Sequence, residues 1–159
     1  MRLYIYIILS FLLCTSNYAA RNSQVNGFLG QDTPDTGEER TGSATLFKFS
    51  LTTKPSILRF VTSFTGAVGS GFTQGELGFG VQMYPLAFKN KSYVQPLVYI
   101  EGVFGVGSLN DKSRTDAGYD LGAGLDIRMG KISGLNISVS IHNATESSTR
   151  LWLGWFTMI

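Results

Sequence analysis

The sequence predicts an all-β protein, an eight-stranded antiparallel up-and-down transmembrane β-barrel, on three observations. In residues 119–129 the odd positions are Tyr119, Leu121, Ala123, Leu125, Ile127 and Met129, and the even ones are Asp120, Gly122, Gly124, Asp126 and Arg128. Leu135, Ile137, Val139 and Ile141 alternate in the same way with Asn136, Ser138, Ser140 and His142. A two-residue period gives a strand two faces, here one wholly apolar and one polar. The third observation concerns charge. Charged residues are only 15% of the chain, against roughly 25% in soluble domains. Those on the polar face mix both signs with glycine, which suits a crowded interior rather than a solvated surface.

The N-terminus opens with Met1, Arg2 and the apolar run 3–13, broken only by Ser10, before the small or polar residues 14–20. A basic start, a short apolar core and a small-residue exit describe a secretory leader. We expect a signal peptide over 1–20 and one barrel domain over 21–159. The run is too short for a spanning helix, which needs roughly 20 apolar residues, and no later segment approaches that length. The single cysteine, Cys14, lies in the leader, so disulfides and cysteine–metal sites are excluded from the mature chain. Lys and Arg number 13 and Asp and Glu 11 in the whole chain. Removing Arg2 with the leader brings them nearer to balance, which leaves no electrostatic case for nucleic acid binding.

The strands follow in order. Bacterial barrels close with an even number, so a first strand is placed near 23–30, where Val25, Gly27 and Leu29 alternate weakly. Residues 45–53 set Thr45, Phe47, Phe49 and Leu51 against Leu46, Lys48, Ser50 and Thr52, and Pro55 then forces a turn. Residues 57–68 oppose Leu58, Phe60, Phe64 and Val68 to Arg59, Ser63 and Thr65. Residues 75–85 oppose Leu77, Phe79, Val81 and Met83 to Glu76, Gly78, Gly80 and Gln82. Residues 94–106 oppose Val98, Ile100, Phe104 and Val106 to Gln95, Tyr99, Glu101 and Gly105. The two alternating stretches described first come next. The last strand, 150–159, is apolar on both faces, so its register stays open.

Connections then alternate between two rims. One holds 54–56, 87–93 and 130–134, and the other 31–44, 70–74, 108–116 and 144–149. Outer loops are the longer ones in such barrels. Segments 31–44 and 108–116 are therefore the expected contacts for a surface ligand or protein, with outer-membrane lipid around the wall. Tyr84, Tyr93, Tyr99, Trp152 and Trp155 are read as aromatic girdles. The alternative is a secreted lipocalin-like binding barrel, which has the same alternation with its apolar face inward.

Residues 95–107 (QPLVYIEGVFGVG), 118–128 (GYDLGAGLDIR) and the closing stretches 135–142 and 151–159 resemble the small porin-like outer-membrane barrels of Gram-negative bacteria. The transmembrane domain of outer-membrane protein A typifies that group. The resemblance implies signal-directed export, outer-membrane assembly and eight strands. That family usually ends in an aromatic residue, whereas this chain ends Trp155-Phe156-Thr157-Met158-Ile159.

The inward set is Lys48, Arg59 and Arg128 against Glu76, Glu101, Asp120 and Asp126, with His142 and its neighbours Asn136, Ser138 and Ser140. Buried charges persist only when paired, and the interior of eight strands is just filled by side chains. A salt-bridged plug is therefore expected, with a structural or interaction role, the alternative being a small pore or gate, and Arg128, Asp126 and Glu101 are the candidates for one paired network. A monomer without enzymatic activity, cofactor or metal follows from this reading. The catalytic alternative is a membrane-embedded lipid A deacylase, a group with a histidine-x-serine-asparagine motif. Here His142 is followed by Asn143 and Ala144, so the motif serine is missing. The glycine-rich stretch 66–71 precedes no helical pattern, and nucleotide binding finds no support.

Overall fold

A computed structural model describes residues 23–35, 40, 42–53, 57–85 and 93–159, and the expected leader lies outside these. The strands are β1 (Gln24–Pro34), β2 (Ala44–Thr52), β3 (Leu58–Gly69), β4 (Phe72–Met83), β5 (Val94–Leu109), β6 (Lys112–Arg128), β7 (Ser133–Asn143) and β8 (Ser147–Met158). Each pairs antiparallel with the next, and β8 pairs back onto β1 to close the barrel. Closure removes every sheet edge along the spanning wall, which hydrocarbon requires.

The register sets the shape. From Gln24, paired residues lead through Thr52, Val61, Gly80, Glu101, Asp120, His142 and Ser148, and the circuit returns to β1 at Pro34. It returns ten residues along the strand, the difference between positions 34 and 24. Such a stagger tilts the strands, by about 35–45° in closed barrels.

Side-chain direction decides between the two barrel types. Leu29, Phe60 and Leu153 are each about 60% exposed, as are many of their apolar neighbours on the outer wall. Lys48, Glu76, Glu101, Asp120 and Arg150 are all at 5% or less. An apolar outer wall is stable only in lipid. The lipocalin-like arrangement needs these faces exchanged, and a one-residue shift in every strand would be required to do so.

Three expectations are corrected. Residues 108–116 are mostly strand: β5 runs through Leu109 and β6 starts at Lys112, leaving only Asn110 and Asp111 between them. Both take positive φ, 49° and 63°, as a two-residue hairpin turn with primed geometry needs. The alternation was hidden because the outward positions become Ser108, Ser113 and Thr115 where the hairpin leaves the apolar band. Likewise β1 reaches Pro34, so the connection to β2 is 35–43. The aromatic girdle is also thinner than expected. Of the five residues expected there, Tyr84, Tyr99 and Trp152 are buried in the lumen, and Tyr93 and Trp155 face outward, as Tyr119 does.

Glycine has a steric purpose inside. A Cβ on Gly122 would strike the Tyr99 ring, one on Gly154 the Phe28 ring, and one on Gly134 the Phe156 ring. Each aromatic side chain lies on the bare backbone of the neighbouring strand. This explains why glycine sits on the polar faces of these strands.

Candidate functional site

The lumen is built around Arg150. On β8 it stands opposite Asp32 of β1 and Ser140 of β7, with its side chain crossing to β4 and β6. Nη2 donates to Glu76 Oε1 at 2.6 Å and Nη1 to Glu76 Oε2 at 2.8 Å, a bidentate pair. Nη1 also reaches Asp120 Oδ2 at 3.2 Å, and Nε lies 3.8 Å from Asp32 Oδ1. His142 Nδ1 is 2.6 Å from Asp120 Oδ1, and its Nε2 is 3.8 Å from Glu76 Oε1.

Toward the rim opposite the chain termini the network continues. Gln74 donates to Glu76 at 2.9 Å and to Asp116 at 3.2 Å. Arg114 pairs with Asp116 at 2.8 Å and Glu146 at 3.2 Å. Arg40, from the β1–β2 connection, pairs with Asp32 at 2.8 Å and lies over the Phe72 ring at 4.5 Å. The carboxylates thus alternate with guanidinium groups, which leaves each buried charge with an opposite partner.

Nearer the other rim the contacts separate into pockets of their own. Lys48 Nζ donates to Glu101 Oε1 at 2.7 Å, and Ser63 Oγ donates to Glu101 Oε2 at 2.7 Å. The ammonium lies 5.5 Å from the Tyr99 ring and 5.6 Å from the Trp152 ring, within cation–π range. Arg59 donates to Gln24 at 2.8 Å and stacks 3.8 Å over Tyr84. Asp126 accepts from the Tyr84 hydroxyl at 2.8 Å and from Asn136 Nδ2 at 2.6 Å.

Seven of the eight residues singled out from sequence are buried in the lumen: Lys48, Arg59, Glu76, Glu101, Asp120, Asp126 and His142. Arg128 is half-buried near the terminal rim and has no ion pair among the described residues. The expected grouping of Arg128, Asp126 and Glu101 does not form, because Glu101 is taken by Lys48 and Asp126 by two neutral donors. Sequence reasoning missed Arg150, Asp32, Arg40, Arg114 and Asp116 as members. For Arg150 a signal existed: it is the one charge in β8, and Leu151, Leu153 and Trp155 put it on the face opposite to them.

Chemically the site is already occupied by its own ion pairs. Glu76, Asp120 and His142 offer ligand atoms within 4.8 Å of one another, but the Arg150 guanidinium donates to both carboxylates. A metal ion would have to displace it, so the donor set as it stands does not fit one. His142 oriented by Asp120 has the form of a catalytic base with its orienter. Yet its other nitrogen faces a carboxylate, and the Ser140 hydroxyl accepts from Trp152 Nε1 at 3.2 Å. No hydroxyl hydrogen-bonds to His142 among the described residues. A cavity of about 20 Å3 beside Lys48, Glu101 and Trp152 holds about one water.

No known sequence family matches the chain, and no curated protein does. Solved structures do. The N-terminal β-barrel domain of Pseudomonas aeruginosa OprF aligns over 87% of this chain and 98% of its own, with TM-score 0.64 and 12% identity. Neisserial surface protein A aligns over 86% and 95%, with TM-score 0.61 and 14% identity. Ail, the attachment invasion locus protein of Yersinia pestis, aligns over 87% and 97%, with TM-score 0.56 and 12% identity. The chain has the fold of the small outer-membrane β-barrels. In this transmembrane barrel the apolar wall faces lipid and the ion-paired network fills the axis.

Proposed function

We propose that the chain is a monomeric integral outer-membrane barrel, exported by a leader over 1–20, with a closed lumen and a structural or interactive role rather than a catalytic one. The observation that carries this reading is the Arg150 cross-brace: from β8 one guanidinium binds Glu76 of β4, straight across the barrel, and Asp120 of β6. Phe28, Leu46 and Trp152 are also buried in the lumen, and this filling by side chains supports a closed rather than an open barrel. Surface contacts fall to the 35–43 connection and the tip of the β5–β6 hairpin, with membrane lipid as the constant partner.

Planar bilayer recording on purified protein tests the closed lumen. Absence of steady conductance supports it, and large sustained openings would replace it with a pore. Fractionation tests the setting: recovery as freely soluble protein overturns it. Mass spectrometry of lipid A tests catalysis. Acyl chains unchanged by the wild type support a non-enzymatic role, whereas deacylation lost in His142→Ala would make the protein a hydrolase.

A further inference from the structure

The outer wall carries a gap that packing does not explain. The register aligns Phe47, Gly66, Gly75 and Val106 in one row across β2, β3, β4 and β5. Two adjacent glycines leave the middle of that row without side chains. The row toward the terminal rim is filled by bulky residues, Phe64 and Leu77 among them. The row on the other side contains Thr73 and Ser108, whose hydroxyls are hydrogen-bonded at 3.0 Å. The result is a groove of about 230 Å3 between apolar walls, opening onto a pair of hydroxyls.

Two other glycines on this wall are covered by aromatic rings. Gly27 lies under the Trp155 ring and Gly66 under the Phe47 ring, so a Cβ at either would strike an aromatic carbon. This is the way aromatic side chains shield strand glycines. Gly75 differs, because a Cβ there would meet only the Phe64 ring, at 3.9 Å. The backbone has no need of glycine at this position, and a larger side chain would close the groove.

We propose that the groove at Gly75 binds one hydrocarbon chain of a membrane lipid, with the Thr73–Ser108 hydroxyl pair meeting the lipid's ester region. The groove lies in the wall that faces hydrocarbon. A peptide there would lose its backbone hydrogen bonds, while an acyl chain loses none. The rows contain no charged side chain, so the site selects for the chain and its neutral ester and not for headgroup charge. The inference rests on the bilayer setting proposed above.

The test uses full-length mature protein reconstituted in dioleoylphosphatidylcholine vesicles, released into detergent and weighed by native mass spectrometry. One phosphatidylcholine should stay on the wild type, insensitive to salt. Gly75→Leu should lower the bound fraction about tenfold, equivalent to about 1.4 kcal/mol. Gly102→Leu is the control, since a Cβ there meets only a carbonyl oxygen at 3.8 Å, outside the groove. It should retain lipid like the wild type. Heat-dependent gel mobility reports folding of both variants. Equal retention by the wild type and Gly75→Leu, or equal loss in Gly102→Leu, overturns the groove. Failure of the wild type itself to insert into the vesicles overturns the membrane reading and the groove with it.

Discussion

Arg150 Nη2 and Glu76 Oε1 lie 2.6 Å apart and join the last strand to the fourth straight across the lumen. This contact also answers the register of β8, which is apolar on both faces. Shifting β8 by one residue would turn Arg150 into hydrocarbon, where a charged side chain is strongly disfavoured. The pair therefore fixes which way the final strand faces as the barrel closes.

Removing Arg150 alone should be severe. Arg150→Met leaves Glu76 and Asp120 buried without their cation, and breaking a buried pair from one side costs about 3–5 kcal/mol. Removing an acid as well, in Arg150→Met with Glu76→Gln, should recover part of the loss. Urea unfolding of lipid-reconstituted protein checks this. The expected cycle has a coupling energy above about 0.5 kcal/mol, and simple additivity would reject the brace.

Arg128 should behave in the opposite way. It is half-buried at the rim and has no ion pair among the described residues, and Asp126 is satisfied by Tyr84 and Asn136. Arg128→Met and Glu101→Gln should therefore add within about 0.3–0.5 kcal/mol when combined. Coupling well beyond that range would restore a network the contacts do not show.

The fold was legible in the sequence because outward and inward residues differ so sharply in β2 to β7. Leu135–His142 could be placed on its faces from alternation alone. The site was less legible, for two reasons. Arg40 reaches the lumen from a connection, and connections carry no periodicity to read. Asp116 and Arg114 lie where the β5–β6 hairpin rises past the apolar band, so their outward neighbours are hydroxyls and the contrast that marks a strand is gone. Pairing across the barrel was beyond reach altogether. Alternation says that Glu101 points inward, but only the register and tilt bring Lys48 to it rather than Arg128.

Glycines should divide into two groups. At Gly122 an added Cβ would strike the Tyr99 ring, and overpacking of a well-filled interior costs about 1–3 kcal/mol. Gly102 faces lipid with room to spare, so Gly102→Ala should be neutral or slightly stabilising through reduced unfolded-state freedom. Thermal shift of the gel-mobility transition for the two variants checks this, and equal effects would count against steric purpose in the lumen.

Opening the lumen should need more than one substitution. The Lys48–Glu101 pair sits beside the cavity of about 20 Å3, between Tyr99 and Trp152. Truncating both, in Lys48→Ala with Glu101→Ala, removes two long side chains without leaving a lone buried charge. The enlarged space should admit water past the aromatic residues, but the intact Arg150 network should hold conductance in planar bilayers at the wild-type level. A rise in conductance in the double variant would place the seal at the Lys48–Glu101 pair instead.

The Arg150 brace also determines whether the lumen can hold a metal. Glu76, Asp120 and His142 bring two carboxylates and an imidazole within 4.8 Å, a donor set that zinc accepts. In the wild type the guanidinium occupies both carboxylates, and added zinc should leave stability unchanged. Arg150→Met removes that cation and leaves buried negative charge that a divalent ion can offset. Ligands that bind only the folded state stabilise it by mass action, by about 2.7 kcal/mol at a hundred times the dissociation constant. Zinc should therefore raise the unfolding midpoint of Arg150→Met and restore much of what the substitution cost. The gain should vanish when His142→Ala is added, because the imidazole is the site's one nitrogen ligand, and it should weaken at acid pH as protons compete for the ligands. Zinc stabilisation of the wild type to the same degree would show that Arg150 does not hold this position, and would sink the account of the lumen built on it.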